Sequence, residues 1–240
     1  MRADPDGPVE VTPLDANVRT LVHEYGGGSW WLHADTLFWV DVADQRLRAT
    51  DAGGTRFVTA DPPIPRGLRY ADGDVTPDGR FSVCVRERHD GSGEPANEIV
   101  AVANDGSAVE VVWSGADFVS SPRVSPDGRR VAFVSWDHPE MPWTRTRLHV
   151  YEFDDGRGGA ELLRLDGDRA FCEPGWVGDT LHVVVDDDEW WNLFAVDLDA
   201  GSLTGVVTGP FEIATPPWVF GMQRWAEVDG RVVAVAALPT

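Results

Sequence analysis

One six-residue phrase occurs twice in this chain and fixes what it can fold into. Val75-Thr76-Pro77-Asp78-Gly79-Arg80 precedes the apolar run Phe81-Ser82-Val83-Cys84-Val85. Val124-Ser125-Pro126-Asp127-Gly128-Arg129 precedes Arg130-Val131-Ala132-Phe133-Val134. Each copy reads as strand, tight turn, strand. Proline presets φ for a turn, Asp hydrogen-bonds its own backbone, and Gly supplies a positive φ at no Cβ cost. Apolar residues on both sides make each copy a hairpin. Gly79 and Gly128 lie 49 residues apart. A strand-built repeat of that length predicts propeller blades rather than a sandwich or a doubly wound sheet.

The remaining segments fit this plan. No stretch of useful length carries a helical period; apolar residues alternate or cluster in short runs punctuated by Gly, Pro, Asp and Asn. Val9 to Thr12 reads as a lone leading strand, and Arg19 to Tyr25 leads into Gly26-Gly27-Gly28. Four-strand units follow, at about 26–60, 69–114, 121–166 and 174–209, the third and fourth opening at Pro122 and Gly175. An incomplete unit at 221–240 holds two strands turned at Asp229-Gly230. The predicted fold class is all-β: a partial β-propeller of about five four-stranded blades, made of one leading strand, four full blades and a half blade. The chain is read as a single propeller domain, or a fragment of a longer one, since closing a ring requires complete blades.

Composition narrows the partners. The 240 residues carry 40 acidic and 20 basic residues, a net charge of −20, and every basic residue is Arg. Such a surface repels phosphate, which argues against nucleic acid and anionic membranes as partners. Cys84 and Cys172 sit in apolar segments and read as small buried hydrophobes, without disulfide or zinc spacing. The polar start Met1-Arg2-Ala3-Asp4-Pro5-Asp6 lacks an apolar signal core, and no run approaches a membrane span. A cytoplasmic setting is expected.

Several stretches together resemble the propeller of the prolyl-oligopeptidase family of serine peptidases, in its acylaminoacyl-peptidase and dipeptidyl-aminopeptidase-like branch. They are Val18-Arg19-Thr20 with His23-Glu24-Tyr25-Gly26-Gly27-Gly28, Arg69-Tyr70-Ala71-Asp72-Gly73, and Val85-Arg86-Glu87-Arg88-His89 with Gly93-Glu94-Pro95-Ala96-Asn97-Glu98. The most specific runs from Ser121-Pro122-Arg123 through Ser135-Trp136-Asp137-His138-Pro139 to Met141-Pro142-Trp143. Trp190-Trp191-Asn192-Leu193 and Trp218-Val219-Phe220-Gly221-Met222 complete the series. The resemblance implies a seven- or eight-bladed propeller capping a C-terminal α/β-hydrolase domain, and admitting short peptides while excluding folded proteins. It covers the cap alone. The Gly-x-Ser-x-Gly elbow that a hydrolase needs is missing here, Gly27-Gly28-Ser29-Trp30-Trp31 failing at its last position. The first blade of the family is also missing apart from its final strand. The expected partners are that hydrolase domain and short peptides; no cofactor, metal ligand or catalytic residue is expected in this chain.

Two segments are candidates for substrate contact. In His23 to Gly28, the glycines let backbone approach closely and Glu24, beside Tyr25, could hold a peptide amine. The alternative is a tight approach to the first inner strand with Glu24 capping backbone N–H groups. In the loop 137–146, Asp137, His138, Met141 and Trp143 read either as a wall of an inter-domain cleft or as a self-packed loop. Asp186-Asp187-Asp188-Glu189 lacks the alternating ligands of a calcium loop and reads as a solvated turn. The six histidines show no metal-ligand spacing, and nothing in the spacing of Ser, His and Asp argues for a triad. Two rival functions stay open. One is a free-standing propeller serving as an interaction scaffold, whose unpaired terminal edges invite self-association into oligomers. The other is a metal-dependent, gluconolactonase-like propeller, faintly echoed in Leu37-Phe38-Trp39-Val40-Asp41, with Glu24 as a ligand.

Overall fold

The computed structural model describes residues 2–4, 7–91, 93–187 and 189–238. Met1, Pro5, Asp6, Ser92 of the 89–95 loop, Asp188 of the acidic run, and Pro239 and Thr240 of the last unit lie outside them. The described residues form strands and loops, with no helix among them. None therefore forms a helix long and apolar enough to cross a membrane.

Four antiparallel four-stranded sheets follow one another along the chain. The first holds β3 (Trp30–His33), β4 (Thr36–Val40), β5 (Leu47–Asp51) and β6 (Gly54–Phe57). The second holds β7 (Leu68–Val75), β8 (Phe81–Arg88), β9 (Ala96–Ala103) and β10 (Val109–Ser114). The third holds β11 (Phe118–Val124), β12 (Arg130–Trp136), β13 (Arg147–Asp154) and β14 (Arg157–Leu165). The fourth holds β15 (Phe171–Val177), β16 (Thr180–Asp187), β17 (Trp190–Asp197) and β18 (Ser202–Val207). A two-stranded sheet, β19 (Trp225–Val228) with β20 (Arg231–Ala234), comes last. The first strands abut in succession, β3 on β7, β7 on β11, β11 on β15 and β15 on β19. That is propeller packing, each blade facing the next along its innermost strand.

The start of the chain departs from expectation. The lone strand expected at Val9 to Thr12 is instead a short hairpin, β1 (Arg2–Asp4) paired with β2 (Gly7–Val9). Glu10 to Thr12 pair with nothing among the described residues, since they run straight toward Pro13, which disfavours continued regular pairing. The third and fourth sheets also begin earlier than the sequence suggests, at Phe118 and Phe171. Pro122 and Gly175 do not open these strands; Pro122 and Pro174 sit at register shifts inside them. A bulge leaves a residue unpaired, so a residue without an N–H fits there.

The same bulge recurs in three inner strands. Asp72, Ser121 and Glu173 each adopt positive φ, near 50°, at the register shift of β7, β11 and β15. Each is followed by Gly73, Pro122 or Pro174. The two signature turns are likewise built identically. In each, the Asp accepts a hydroxyl and a backbone N–H: Thr76 and Arg80 for Asp78, Ser125 and Arg129 for Asp127. Gly79 and Gly128 take φ of 74° and 71°, as the turn requires.

Burial between blades supplies the cohesion. Trp31, Phe38, Val40, Leu47 and Ala49 of the first sheet pack on Tyr70, Cys84, Val100 and Val102 of the second. Similar clusters join the second sheet to the third, the third to the fourth, and the fourth to the final hairpin. Each Leu or Val so buried stabilises by roughly 1.5–3 kcal/mol. Indoles are also satisfied across blades: the buried Trp31 and Trp225 donate to Ser82 and to the Glu173 carbonyl, and the partly buried Trp176 to the Arg123 carbonyl. Both cysteines are buried and unpaired.

Candidate functional site

The glycine triplet, ahead of the first sheet, meets the segment ahead of the last one. Gly26, Gly27 and Gly28 all have positive φ, and Gly27 bridges Phe220 in parallel fashion. A Cβ on Gly27 would lie 2.5 Å from the Phe220 carbonyl oxygen, so only glycine allows this approach. The Phe220 N–H donates to the Gly26 carbonyl at 3.0 Å, and the Asp72 N–H to the Gly28 carbonyl at 2.7 Å. Segment 217–222 thereby lies against segment 23–28.

A cavity of about 230 Å³ opens beside this junction. Its walls include His23, Tyr25 and Gly26; the start of β11 with Phe118; Trp136 of β12; the 137–146 loop; and Trp218 to Met222. Cys172 and Glu173 of β15 line it as well. The lining is dominated by rings in mutual contact. His23 meets Phe118 at 5.0 Å and Phe220 at 4.8 Å between centroids, and Phe118 stacks on Trp136 at 5.4 Å. Trp143 meets Trp218 at 4.3 Å, and Trp218 is 52% exposed, so it forms the rim.

A polar scaffold behind the wall holds these rings in place. His23 and Glu24 are both left-handed, with φ of 53° and 62°. The buried carboxylate of Glu87 accepts the His23 N–H at 2.7 Å and the Arg69 guanidinium at 2.9 Å. His89 contacts the same carboxylate at 2.6 Å. The His23 ring bonds Asn97 at 3.1 Å, yet burial pulls its pKa down to about 4, so it faces the cavity neutral. On the opposite wall, the Asp117 carboxylate accepts the His138 N–H at 2.9 Å. Asp137 accepts the Asp117 N–H at 2.9 Å and the Arg147 guanidinium at 2.7 Å. Burial works against the Asp137 charge, but these donors outweigh it and hold the carboxyl below its usual range.

Of the six side chains expected to meet substrate, the structure gathers Tyr25, His138, Met141 and Trp143 around this cavity. Glu24 and Asp137 do not line it. Glu24 points to solvent with its side chain 75% exposed and pairs with Arg69 at 2.7 Å. Asp137 is a fastening residue of its loop. Sequence reasoning missed His23, Phe118, Trp136 and Glu173 as lining residues. Phe118, Trp136 and Glu173 sit in strands whose alternation reads only as core, and no local signal marks which alternate face opens on a cavity.

Two carboxylates reach the cavity. Glu140, near the rim, accepts the Thr144 hydroxyl at 2.8 Å. Glu173 is only 6% exposed, and burial pushes its pKa up to about 7 despite the Arg224 N–H at 2.8 Å and the charges of Arg224 and Arg123.

Elsewhere the structure places a serine against an imidazole, a pairing that residue spacing does not signal. Ser135 Oγ lies 2.8 Å from His149 Nε2, and Glu161 Oε2 lies 3.7 Å from His149 Nδ1. The order Ser–His–Glu mimics a triad, but its setting is a packed sheet face. Ser135 is 0% and His149 3% exposed, and the rings of Trp113 and Phe133 lie at 5.1 and 4.9 Å from the imidazole. A nucleophile there has no route to substrate and no strained elbow to present it. Among the described residues, no group of three or more His, Cys, Asp or Glu side chains is placed to hold a metal ion.

No protein-family profile matches the chain, and no curated protein does. Solved structures do. The chain is similar to a puromycin-hydrolyzing peptidase of Mycobacterium tuberculosis, with TM-score 0.85 and 33% identity over 95% of this chain and 38% of that one. It is similar to puromycin hydrolase at TM-score 0.85 and 33% identity, over 96% of this chain and 39% of that one. An oligogalacturonate lyase in complex with manganese, at 14% identity and TM-score 0.57, shares the fold alone. The chain thus spans under two fifths of the length of the peptidases it resembles.

Proposed function

Since the chain belongs to the prolyl-oligopeptidase family, as a homologue of the propeller part of the puromycin-hydrolyzing peptidases, we propose that it is the access-limiting cap of a serine peptidase. In this reading it belongs to the acylaminoacyl-peptidase and dipeptidyl-aminopeptidase-like branch and works in the cytoplasm. Its partner is an α/β-hydrolase domain encoded C-terminal to it, and its own residues bind and admit short peptides without cleaving them. The supporting observation is the extent of the likeness, which runs along 95% of this chain and only 38% of the peptidase. The aromatic cavity supports the binding role. At about 230 Å³ it falls below the roughly 300–1,000 Å³ typical of drug-sized sites. It suits one residue of a peptide rather than a folded partner.

The test has two arms. The 240-residue chain is exposed to a fluorophosphonate probe and to aminoacyl and acyl-aminoacyl p-nitroanilides; neither labelling nor hydrolysis is expected. The coding sequence downstream of Thr240 is then read and expressed with the chain. It should carry Gly-x-Ser-x-Gly and yield an enzyme that cleaves short anilides but not casein. Labelling of the chain alone would overturn the reading. So would a downstream region without the elbow, which would favour a free-standing scaffold.

A further inference from the structure

The outer strands of the four full sheets are each blunted against pairing with another chain. In β10, β14 and β18 an extra residue breaks the register, so the edge is kinked. The short β6 carries Arg56. β20 has neither device. It pairs with β19 in unbroken register, and among the described residues no strand lies along its other edge. From Val232 to Leu238 the chain reads Val-Val-Ala-Val-Ala-Ala-Leu, with no charge, glycine or proline. An apolar edge of that kind is a template for pairing.

The backbone fixes how such pairing must run. The Val235 N–H donates to the Arg224 carbonyl at 2.8 Å, so the odd-numbered residues of this strand aim their backbone groups at β19. Val232 and Ala234 aim theirs at the open edge. Their side chains pack on the fourth sheet, while Val228, Val233 and Val235 are more than half exposed on the other face. Two copies of the edge, run antiparallel about Ala234, place Val233 of each copy opposite Val235 of the other. Arg231 then falls opposite Ala237, and no like charges meet. The product is a four-stranded antiparallel sheet, the size of each full blade.

Charge singles out the same place. The chain carries a net charge of −20, so two copies repel across most of their surface. Between Ile213 and Leu238 the only charged residues are Arg224, Glu227, Asp229 and Arg231, which cancel. The open edge thus sits in a neutral stretch of an acidic chain.

We propose that the β20 edge is a self-association surface, and that the 240-residue chain forms a two-fold dimer through β20 paired antiparallel with β20 of a second copy. Each copy offers one such edge, so the contact closes on itself and stops at two. The inference does not use the peptidase reading and leaves its tests untouched.

Light scattering on the eluting 240-residue chain should show a mass that rises with concentration toward twice that of one chain and no further. Raising salt from about 0.05 to about 0.5 M should strengthen association severalfold, because it screens the repulsion between acidic copies. Ala234→Pro removes an N–H that β19 does not use, and should give a monomer. If that variant does not fold, Val235→Lys, a change at an exposed side chain, should also give a monomer. The register is read by oxidative cross-linking. Val233→Cys chains mixed with Val235→Cys chains should cross-link severalfold faster than either alone, since facing residues at such non-hydrogen-bonded positions suit a disulfide. Cys84 and Cys172 are buried and do not compete. A chain that stays monomeric at every concentration would overturn the second copy as occupant and leave the edge to a strand encoded elsewhere. A dimer that survives both Ala234→Pro and Val235→Lys, that weakens with salt, or that cross-links no faster in the mixture would overturn this edge as its interface.

Discussion

His149 makes the acid stability of this chain predictable. Its imidazole is packed against Trp113 and Phe133, bonded through Nε2 to Ser135, with Nδ1 unpartnered. Burial lowers its pKa from the ordinary 6.5 to about 4; Glu161 opposes the shift, and Arg147 and Arg164 reinforce it. The folded state therefore binds fewer protons than the unfolded chain between those values. The associated stability is complete above about 6.5 and is lost as pH falls toward 4. At 1.36 kcal/mol per unit, the full difference is about 3 kcal/mol. Glu173 acts in the opposite sense: raised to about 7, it favours the folded state below 4.5 and loses that contribution as pH rises through 7. The comparison that isolates His149 is thus the native chain against His149→Phe, by urea unfolding at pH 7.5, 6.0, 5.0 and 4.0. At pH 7.5 the variant should be less stable by about 1–3 kcal/mol, because Ser135 loses its partner. Below pH 6.5 its stability should fall less steeply than that of the native chain, by up to about 1.4 kcal/mol per pH unit, so the curves converge near pH 4–5. Parallel curves across the series, or an NMR titration placing the His149 midpoint above 6, would refute the reasoning.

Other perturbations test the architecture. Gly27→Ala puts a Cβ 2.5 Å from the Phe220 carbonyl at a φ of 88°; it should lower the melting temperature by several degrees, since Phe220 must shift. Asp72→Ala removes the buried partner of Arg123 and of the Ser121 N–H, and should cost about 3–5 kcal/mol in urea unfolding. Trp218→Ala, at the half-exposed rim, should leave the melting temperature within a few degrees while weakening short-peptide binding, read by calorimetric titration, severalfold. Ser135→Ala should leave fluorophosphonate reactivity unchanged, since that serine is fully buried.

How far each layer was readable follows from how local its cause is. Val75 to Val85 and Val124 to Val134 carry turn chemistry and alternation in adjacent residues, so the strand–turn–strand units appear in the structure where the sequence puts them. The strand starts read at Pro122 and Gly175 fall inside longer strands, because a proline within a ladder is tolerated only where the ladder itself breaks, as it does at Pro122 and Pro174. The cavity was half legible. Tyr25, His138, Met141 and Trp143 lie in loops, where an exposed aromatic or sulfur side chain already signals contact. Glu24 and Asp137 carried the same signal, and tertiary partners 45 and 10 residues away claimed them.

The sequence by itself determined the all-β architecture and its blade period, since Pro-Asp-Gly turns and β-branched alternation act within a few residues. Only the tertiary structure decided what each bulge carboxylate meets beyond the backbone N–H of the next blade that both accept. Asp72 and Glu173 occupy the same bulge in different blades, and they diverge because the second oxygen of Asp72 faces the Arg123 guanidinium at 3.3 Å while the Glu173 side chain lines the ring-walled cavity. That difference arises between segments about 50 residues apart, where no local pattern reaches.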